Sequence, residues 1–243
     1  MDPKNIIDPR QDYWDNSYID YWKKRVEEAG ETQSKVIKND STTVDSSFYE
    51  EILDSLEISE GRILDVGCAW GRLFDIFIKR NLKVTGIDIS TDMINNANKL
   101  WSINKNIENI VHCVAEDLPF KANTFEIVFC AATFDTTYQH EALSEFIRVT
   151  KPGGYIIFSG KNSNYFEDDI PAIEAEEGAR KKGHPNYFTD TCNMTNQLTF
   201  LGHKIEKGYY FSRRSDFASK KYTNKKPSEF YMYNYILKKS DSK

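Results

Sequence analysis

Ile63-Leu64-Asp65-Val66-Gly67-Cys68-Ala69-Trp70-Gly71-Arg72 carries an apolar, strand-like run into a turn with glycines at 67 and 71, then into a helical pattern. Glycine at such a turn lets a ligand approach the backbone closely, but the same turn without a ligand is simply a tight strand-to-helix connection. Val84-Thr85-Gly86-Ile87-Asp88 weighs between the two readings. It is a second apolar strand, ending in a carboxylate about twenty residues after the glycine turn, where an acid can accept both hydroxyls of a ribose. Taken alone, Asp88 would equally serve as a helix cap or a surface acid.

Outward from this pair, strand-like and helical runs alternate. Strands are expected at 62–66, 83–88, 109–114, 126–131 and 155–159, with helices at 71–80, 91–104 and 139–149 between them. Ser90 is placed to cap the second of these helices. Past residue 160 the texture changes. Helices are expected at 167–182 and 190–201, stopped by Gly183 and Gly202, then two successive strands at 204–211 and 229–237. Asp168 and Asp169 open the first of these helices and Arg180, Lys181 and Lys182 close it, an order that complements the helix dipole. The pattern predicts an α/β, Rossmann-like three-layer sandwich: a seven-stranded, mostly parallel sheet with an antiparallel edge pair. Ahead of it, Tyr13, Trp14, Tyr18, Tyr21 and Trp22 crowd one polar segment. A helix ending at Gly30, a linker at 35–43 and a helix at 45–56 follow. The division is a helical lid and linker over 1–43 and a main domain over 44–243, with an insertion at about 161–189.

In sum these segments resemble the class I S-adenosylmethionine-dependent methyltransferases of the small-molecule type, over roughly residues 61–160. Asp65 to Gly71 looks like that family's acid-x-Gly-x-Gly-x-Gly turn, with Ala69 in place of the middle glycine. Ala115-Glu116-Asp117-Leu118-Pro119-Phe120 is similar to the segment after its third strand. Phe125-Glu126-Ile127-Val128 resembles its fourth strand, and Arg148 to Gly154 the approach to its fifth. The resemblance implies S-adenosylmethionine as cofactor, with Asp65, Gly67, Cys68, Ala69 and Gly71 forming the turn beneath its methionine part. It further implies that Asp88 holds the ribose and that Ile89 and Met93 pack near the adenine. Asp117 would accept from the adenine amino group beside Glu116 and Leu118, and Cys130 would face the methionine end. Trp22 and Arg25 are candidates for a lid over the cofactor, or for ordinary packing of their helix. A nicotinamide dinucleotide enzyme is the competing reading, but its fingerprint wants a glycine where Ala69 stands.

The methyl acceptor is placed by the same resemblance after the fourth strand, at Phe134, Asp135, Thr136, Tyr138 and Gln139. A hydroxyl acceptor benefits from a base, and the catalytic candidates are Asp135, His184 and Tyr138. Asp135 fits equally as a cap of the next helix, and His184 as a solvated loop histidine. Lys161, Asn162, Tyr187, Arg213 and Arg214 are further substrate candidates. If Lys161, Arg180, Lys181, Lys182, Arg213 and Arg214 converge, the acceptor is anionic, such as a phosphorylated or sugar-linked metabolite; otherwise they are solvated charge. The expected reaction is O-methylation, with N-methylation of an amino sugar or other small amine as the alternative. An oxidoreductase and a non-catalytic cofactor-binding relative stand behind both.

Composition sets the bounds. The 243 residues include 40% hydrophobic and 28% charged, with 32 Lys and Arg against 37 Asp and Glu and a net charge of −5. That balance argues against a nucleic-acid partner, which favours excess base. Cys68, Cys113, Cys130 and Cys192 are too scattered for a zinc site or disulfide framework, and no metal site is expected. No run is long enough to cross a bilayer. The expectation is a cytoplasmic enzyme acting on a small-molecule acceptor, without membrane or nucleic-acid partners, and compatible with a homodimer.

Overall fold

Period-two alternation along the central strands separates the molecule into layers. In strand β1 (Gly61–Val66), Ile63 enters one apolar core while Leu64 and Val66 enter the other. The computed structural model describes residues 8–17 and 46–240. After a short helix α1 (Pro9–Asp12) and a π-helical turn at Tyr13–Ser17 comes α2 (Ser46–Asp54), then β1. The chain continues through α3 (Phe74–Ile78), β2 (Leu82–Asp88), α4 (Thr91–Trp101), β3 (Ile107–His112) and β4 (Phe125–Cys130). It then forms α5 (Gln139–Val149), β5 (Thr150–Lys161), α6 (Ile170–Lys181), α7 (Thr191–Phe200), β6 (Lys204–Phe211), α8 (Arg214–Ala218) and β7 (Met232–Lys238).

Among the described residues the strands form one seven-stranded sheet in the order β3-β2-β1-β4-β5-β7-β6. The first five run parallel, while β7 is antiparallel to both β5 and β6. Phe48 and Tyr49 of α2, Phe74 and Phe77 of α3 and Trp101 of α4 cover one face. Phe146 and Val149 of α5, with Met194 and Leu198 of α7, cover the other. The strand order reverses between β1 and β4, which opens a crevice at their carboxyl ends, the usual ligand site of such sheets.

Boundaries moved where turns imposed their own geometry. The helix expected at 71–80 is confined to Phe74–Ile78, because Gly71 sits at φ +82 and Leu73 at φ −106, ψ 1. Strand β5 begins at Thr150, five residues early, by pairing Thr150 with Phe125 across a register shift. Ser90 does cap α4, its side chain accepting from the Met93 N–H at 3.3 Å. The helix expected to end at Gly30 and the linker at 35–43 lie outside the described residues.

Candidate functional site

The glycine turn and the end of β2 are joined by hydrogen bonds before any ligand is considered. The Gly67 and Cys68 N–H groups both donate to the Ile87 carbonyl at 2.9 Å. The Ala69 N–H donates to Asp88 Oδ2 and the Ser90 N–H to Asp88 Oδ1, each at 2.9 Å. Burial pushes the Asp88 carboxyl up to about 6, against the pull of those two amides. It is therefore largely ionised at neutral pH, its carboxylate held in place on the cavity wall. Asp65 lies behind the turn, only 3% exposed, and burial raises it to about 7 despite the nearby Arg72.

Two glycines of the turn are required by space as well as by φ. A Cβ on Gly67 would come within 2.2 Å of Thr133 Oγ1, and one on Gly71 within 2.6 Å of Trp101 Nε1. Ala69, standing where the related turn has glycine, adopts φ +50. A left-handed alanine costs about 1–2 kcal/mol, of which glycine's looser unfolded chain would return about half. Ala69→Gly should therefore raise unfolding free energy by about 0.5–1 kcal/mol, read as a higher urea midpoint at unchanged slope. A lower midpoint would show that the backbone carries no strain there.

A cavity of about 520 Å³ lies over this turn, within the range of small-ligand sites. Its first half is walled by Gly67, Ala69, Asp88, Ile89, Met93 and Ala115. An ionised acid fixed at a strand end, beside an apolar slot made by Ile89 and Met93, suits an adenosine ribose and base. The segment at residues 8–17 closes this half. Arg10, 6% exposed, pairs with Glu116 at 2.6 Å and with Asp8 at 2.6 Å, its guanidinium 4.2 Å above the Tyr138 ring. Gln11 donates to Thr91 Oγ1 at 3.2 Å, and Ser90 Oγ donates to Asp15 at 2.5 Å.

The second half is lined by Lys161, Asp135, Glu176 and Arg214, with His184, Trp14 and Tyr13, and with the small residues Ala175, Gly178 and Ala179 of α6. The four charges close on one another. Lys161 Nζ is 3.2 Å from Asp135 and 3.3 Å from Glu176, and it donates to Asn186 Oδ1 at 3.1 Å. Glu176, 1% exposed, also accepts from Asn186 Nδ2 and the Tyr231 hydroxyl. Arg214 donates to that hydroxyl at 2.7 Å and lies 3.7 Å from Glu176. Burial alone would lower the Lys161 ammonium, but Asp135 and Glu176 hold it above its ordinary value. His184 stands edge-on to Tyr13 and Trp14, with ring centroids 5.2 and 5.1 Å away. Burial, then the charge of Lys161, pushes its pKa below the ordinary value, so the ring is neutral at pH 7. Nδ1 lies 2.7 Å from the Pro185 carbonyl, which assigns the proton to Nδ1 and leaves Nε2 as the basic nitrogen.

Of the residues singled out from sequence, Gly67, Ala69, Asp88, Ile89, Met93, Glu116, Asp135, Thr136, Lys161, His184 and Arg214 line the cavity. Others do not. Asp65, Cys68, Leu118, Cys130 and Phe134 are buried behind the wall, Phe134 packed 4.8 Å from Phe158. Gly71 packs against Trp101. Asp117 is exposed off the wall, while its neighbour Glu116 is on it but taken by Arg10. Tyr138 is 46% exposed and stacks loosely on Tyr187, and Gln139 Nε2 bonds the Tyr187 carbonyl at 2.8 Å. Asn162 ties Thr191 and the 164 and 230 carbonyls together. Arg213 pairs with Asp168 at the surface, and of the six cations whose convergence would have pointed to an anionic acceptor, Lys161, Lys182 and Arg214 reach the cavity and the other three do not. Asp135 does not cap α5, whose N-cap is Tyr138. Trp22 and Arg25 lie outside the described residues. Arg10, Arg72 and Glu176 were not foreseen, although Arg72 directly follows the last glycine of the turn.

A methyltransferase-domain family matches residues 64–158. The ubiquinone biosynthesis O-methyltransferase of Paracidovorax citrulli is 31% identical over 120 residues, which is 46% of this chain and 49% of that protein. The fatty-acid O-methyltransferase of Mycolicibacterium smegmatis is 29% identical over 130 residues, 52% of this chain and 46% of that one. The chain thus spans about half the length of the curated relatives it matches. The geranyl diphosphate C-methyltransferase of Streptomyces coelicolor, solved with S-adenosylhomocysteine, superposes with a TM-score of 0.61 at 14% identity, covering 80% of this chain and 76% of that one. At that identity the likeness speaks for the fold. The family match shows a methyltransferase domain over residues 64–158, and the strand order and the glycine turn fit the class I S-adenosylmethionine-dependent methyltransferases.

Proposed function

We propose that this chain transfers the methyl group of S-adenosylmethionine to a hydroxyl oxygen of a small, uncharged polar metabolite. The observation that carries the reading is the charge balance of the buried acceptor cluster, Lys161 and Arg214 against Asp135 and Glu176, with Lys182 a further lining cation that is exposed to solvent. A phosphorylated acceptor would have to draw those cations away and leave two buried carboxylates unpaired, which is strongly unfavourable. A cationic amine meets the same objection with the signs reversed. A neutral hydroxyl, including one on an unphosphorylated sugar, enters without disturbing the balance. Oxygen as the acceptor atom also agrees with the O-methyltransferase names of the matched relatives.

When bound, the cofactor supplies a methyl already activated on a sulfonium, so this chain's task is alignment, proton removal and exclusion of water. His184, with its basic nitrogen at Nε2, would accept the proton that the acceptor hydroxyl loses, while the carbon–sulfur bond of the cofactor would supply the methyl carbon and leave its electron pair on sulfur. Trp14 and Tyr13 line this half beside His184. The Asp135–Lys161–Glu176 cluster offers fixed dipoles to orient neighbouring hydroxyls.

The test supplies methyl-labelled S-adenosylmethionine with phenols and sugar alcohols, their phosphorylated counterparts and matched amines. Label is expected in ethers of the neutral alcohols or phenols, with kcat/KM at least about tenfold above the phosphorylated partners. Preference for a phosphorylated acceptor would remove the neutral-acceptor reading, and label on nitrogen would remove oxygen.

A further inference from the structure

Gly178 stands in the interior of α6, where glycine weakens a helix relative to alanine because of the backbone freedom it must give up. Such a residue calls for a reason. Every other described glycine has one: a positive φ, or a neighbour that a Cβ would approach within 3 Å. Gly178 has neither, and a Cβ there would meet no atom within 4 Å. Packing within the protein therefore does not ask for glycine at this position. What lies in front of it is the cavity, whose wall it shares with Ala175 and Ala179 of the same helix.

The end of the same helix fixes what stands beside it. The Gly183 N–H, in a residue at φ +71, donates to the Arg180 carbonyl, and the His184 N–H donates to the Ala179 carbonyl, each at 3.0 Å. These bonds close the helix through a left-handed glycine, and they tie His184 to the residue that directly follows Gly178. Tyr13 and Trp14, edge-on to the His184 ring, bring aromatic surface to the same half of the cavity. An acceptor whose hydroxyl reaches His184 Nε2 thus brings its neighbouring atoms to these rings and to the backbone left bare at Gly178. Open backbone with aromatic surface suits a flat body rather than a slender chain. We propose that Gly178 sets how bulky the acceptor is beside its reacting hydroxyl, and that the acceptors it admits are ring-bearing alcohols or phenols. This rests on the hydroxyl-acceptor reading, with His184 as the base.

The probes are two acceptor pairs of graded bulk, glycerol with myo-inositol and phenol with 1-naphthol, assayed with methyl-labelled S-adenosylmethionine. Each variant is judged by the ratio of kcat/KM for the larger member over the smaller, so that intrinsic reactivity cancels between variants. The wild type should prefer the larger member of a pair it methylates. Gly178→Leu should lower that ratio by about 10- to 100-fold, as expected when a side chain overfills a contact, with Gly178→Ala between it and the wild type. Glu174→Leu adds the same side chain at an exposed position of α6 and should leave the ratio within about twofold. Gly178→Ala should also raise the urea midpoint, because no contact opposes alanine's better helix propensity. S-adenosylhomocysteine titration reports that each variant is folded, and should Gly178→Leu fail to bind it, the Gly178→Ala ratio decides. An unchanged ratio at position 178, an equal fall in Glu174→Leu, a lower urea midpoint in Gly178→Ala, or a wild type that prefers the smaller members each overturns the proposal. If the wild type binds S-adenosylhomocysteine but methylates none of the four, the hydroxyl-acceptor reading falls and this proposal with it, a result distinct from the others.

Discussion

Glu176→Ala should lower the unfolding free energy by about 3–5 kcal/mol, the loss expected when one partner leaves a buried ion cluster. The side chain is 1% exposed and joins Lys161, Arg214, Asn186 and the Tyr231 hydroxyl. Its removal leaves Lys161 to Asp135 alone and Arg214 without its carboxylate, and it strips one donor each from Asn186 and Tyr231 of its acceptor. Urea unfolding at constant slope is the measurement, and a companion Glu176→Leu, Lys161→Met double variant should recover part of the loss because it removes a buried pair as a unit. A loss below about 1 kcal/mol would mean that water already reaches the cluster, and the neutral-acceptor argument would lose its footing with it.

His184→Gln should reduce kcat by about 10²- to 10⁴-fold while leaving S-adenosylhomocysteine affinity within about twofold, as expected for loss of a general base. The pH profile gives the second readout. Burial and Lys161 hold the His184 pKa below its ordinary 6.5. The base form therefore grows as pH rises through a value below 6.5, and the rate should climb there and be flat by pH 7. Asp88, at about 6, titrates nearby and is the proposed ribose contact, so the profile is taken at saturating cofactor. The Gln variant should lose the acidic limb as well as the rate. A variant that keeps the limb would return the base role to another group, with Asp135 the nearest candidate, although its carboxylate is 3.2 Å from Lys161.

What the sequence made legible follows the range of the forces involved. The five parallel strands announce themselves through apolar runs and turn residues a few positions apart, and Asp88 through its place at a strand end. Those are local signals. The edge pair β6 and β7 was legible as two successive apolar runs, with only the five-residue α8 between them. Glu176 was not, because its α6 neighbourhood includes Glu174 and Glu177, and only contact with Tyr231, 55 residues away, distinguishes it. Phe134 and Cys130 were taken by the core, since β4 delivers them to the face covered by α5. Ala69 departs from the related turn in residue type yet keeps its geometry at φ +50, which the amide bond to Asp88 makes use of. The aromatic crowding near residue 13 was visible, but the sequence could not tell Tyr13 and Trp14, which line the cavity, from their neighbours.

The cavity's walls also carry a message about assembly. Arg10 and Trp14 come from the beginning of the chain and Arg214 and Met232 from near its end, while the glycine turn and Asp88 lie between. Bringing such distant residues together demands closure of loops of more than a hundred residues, the contacts that folding chains make late. The central parallel strands can pair while the pocket is still without its outer walls. Ligand binding therefore reports on the last stage of folding, when segments as far apart as Arg10 and Met232 have met at the carboxyl edge of the sheet, and no contiguous fragment shorter than residues 10–232 contains all the lining residues.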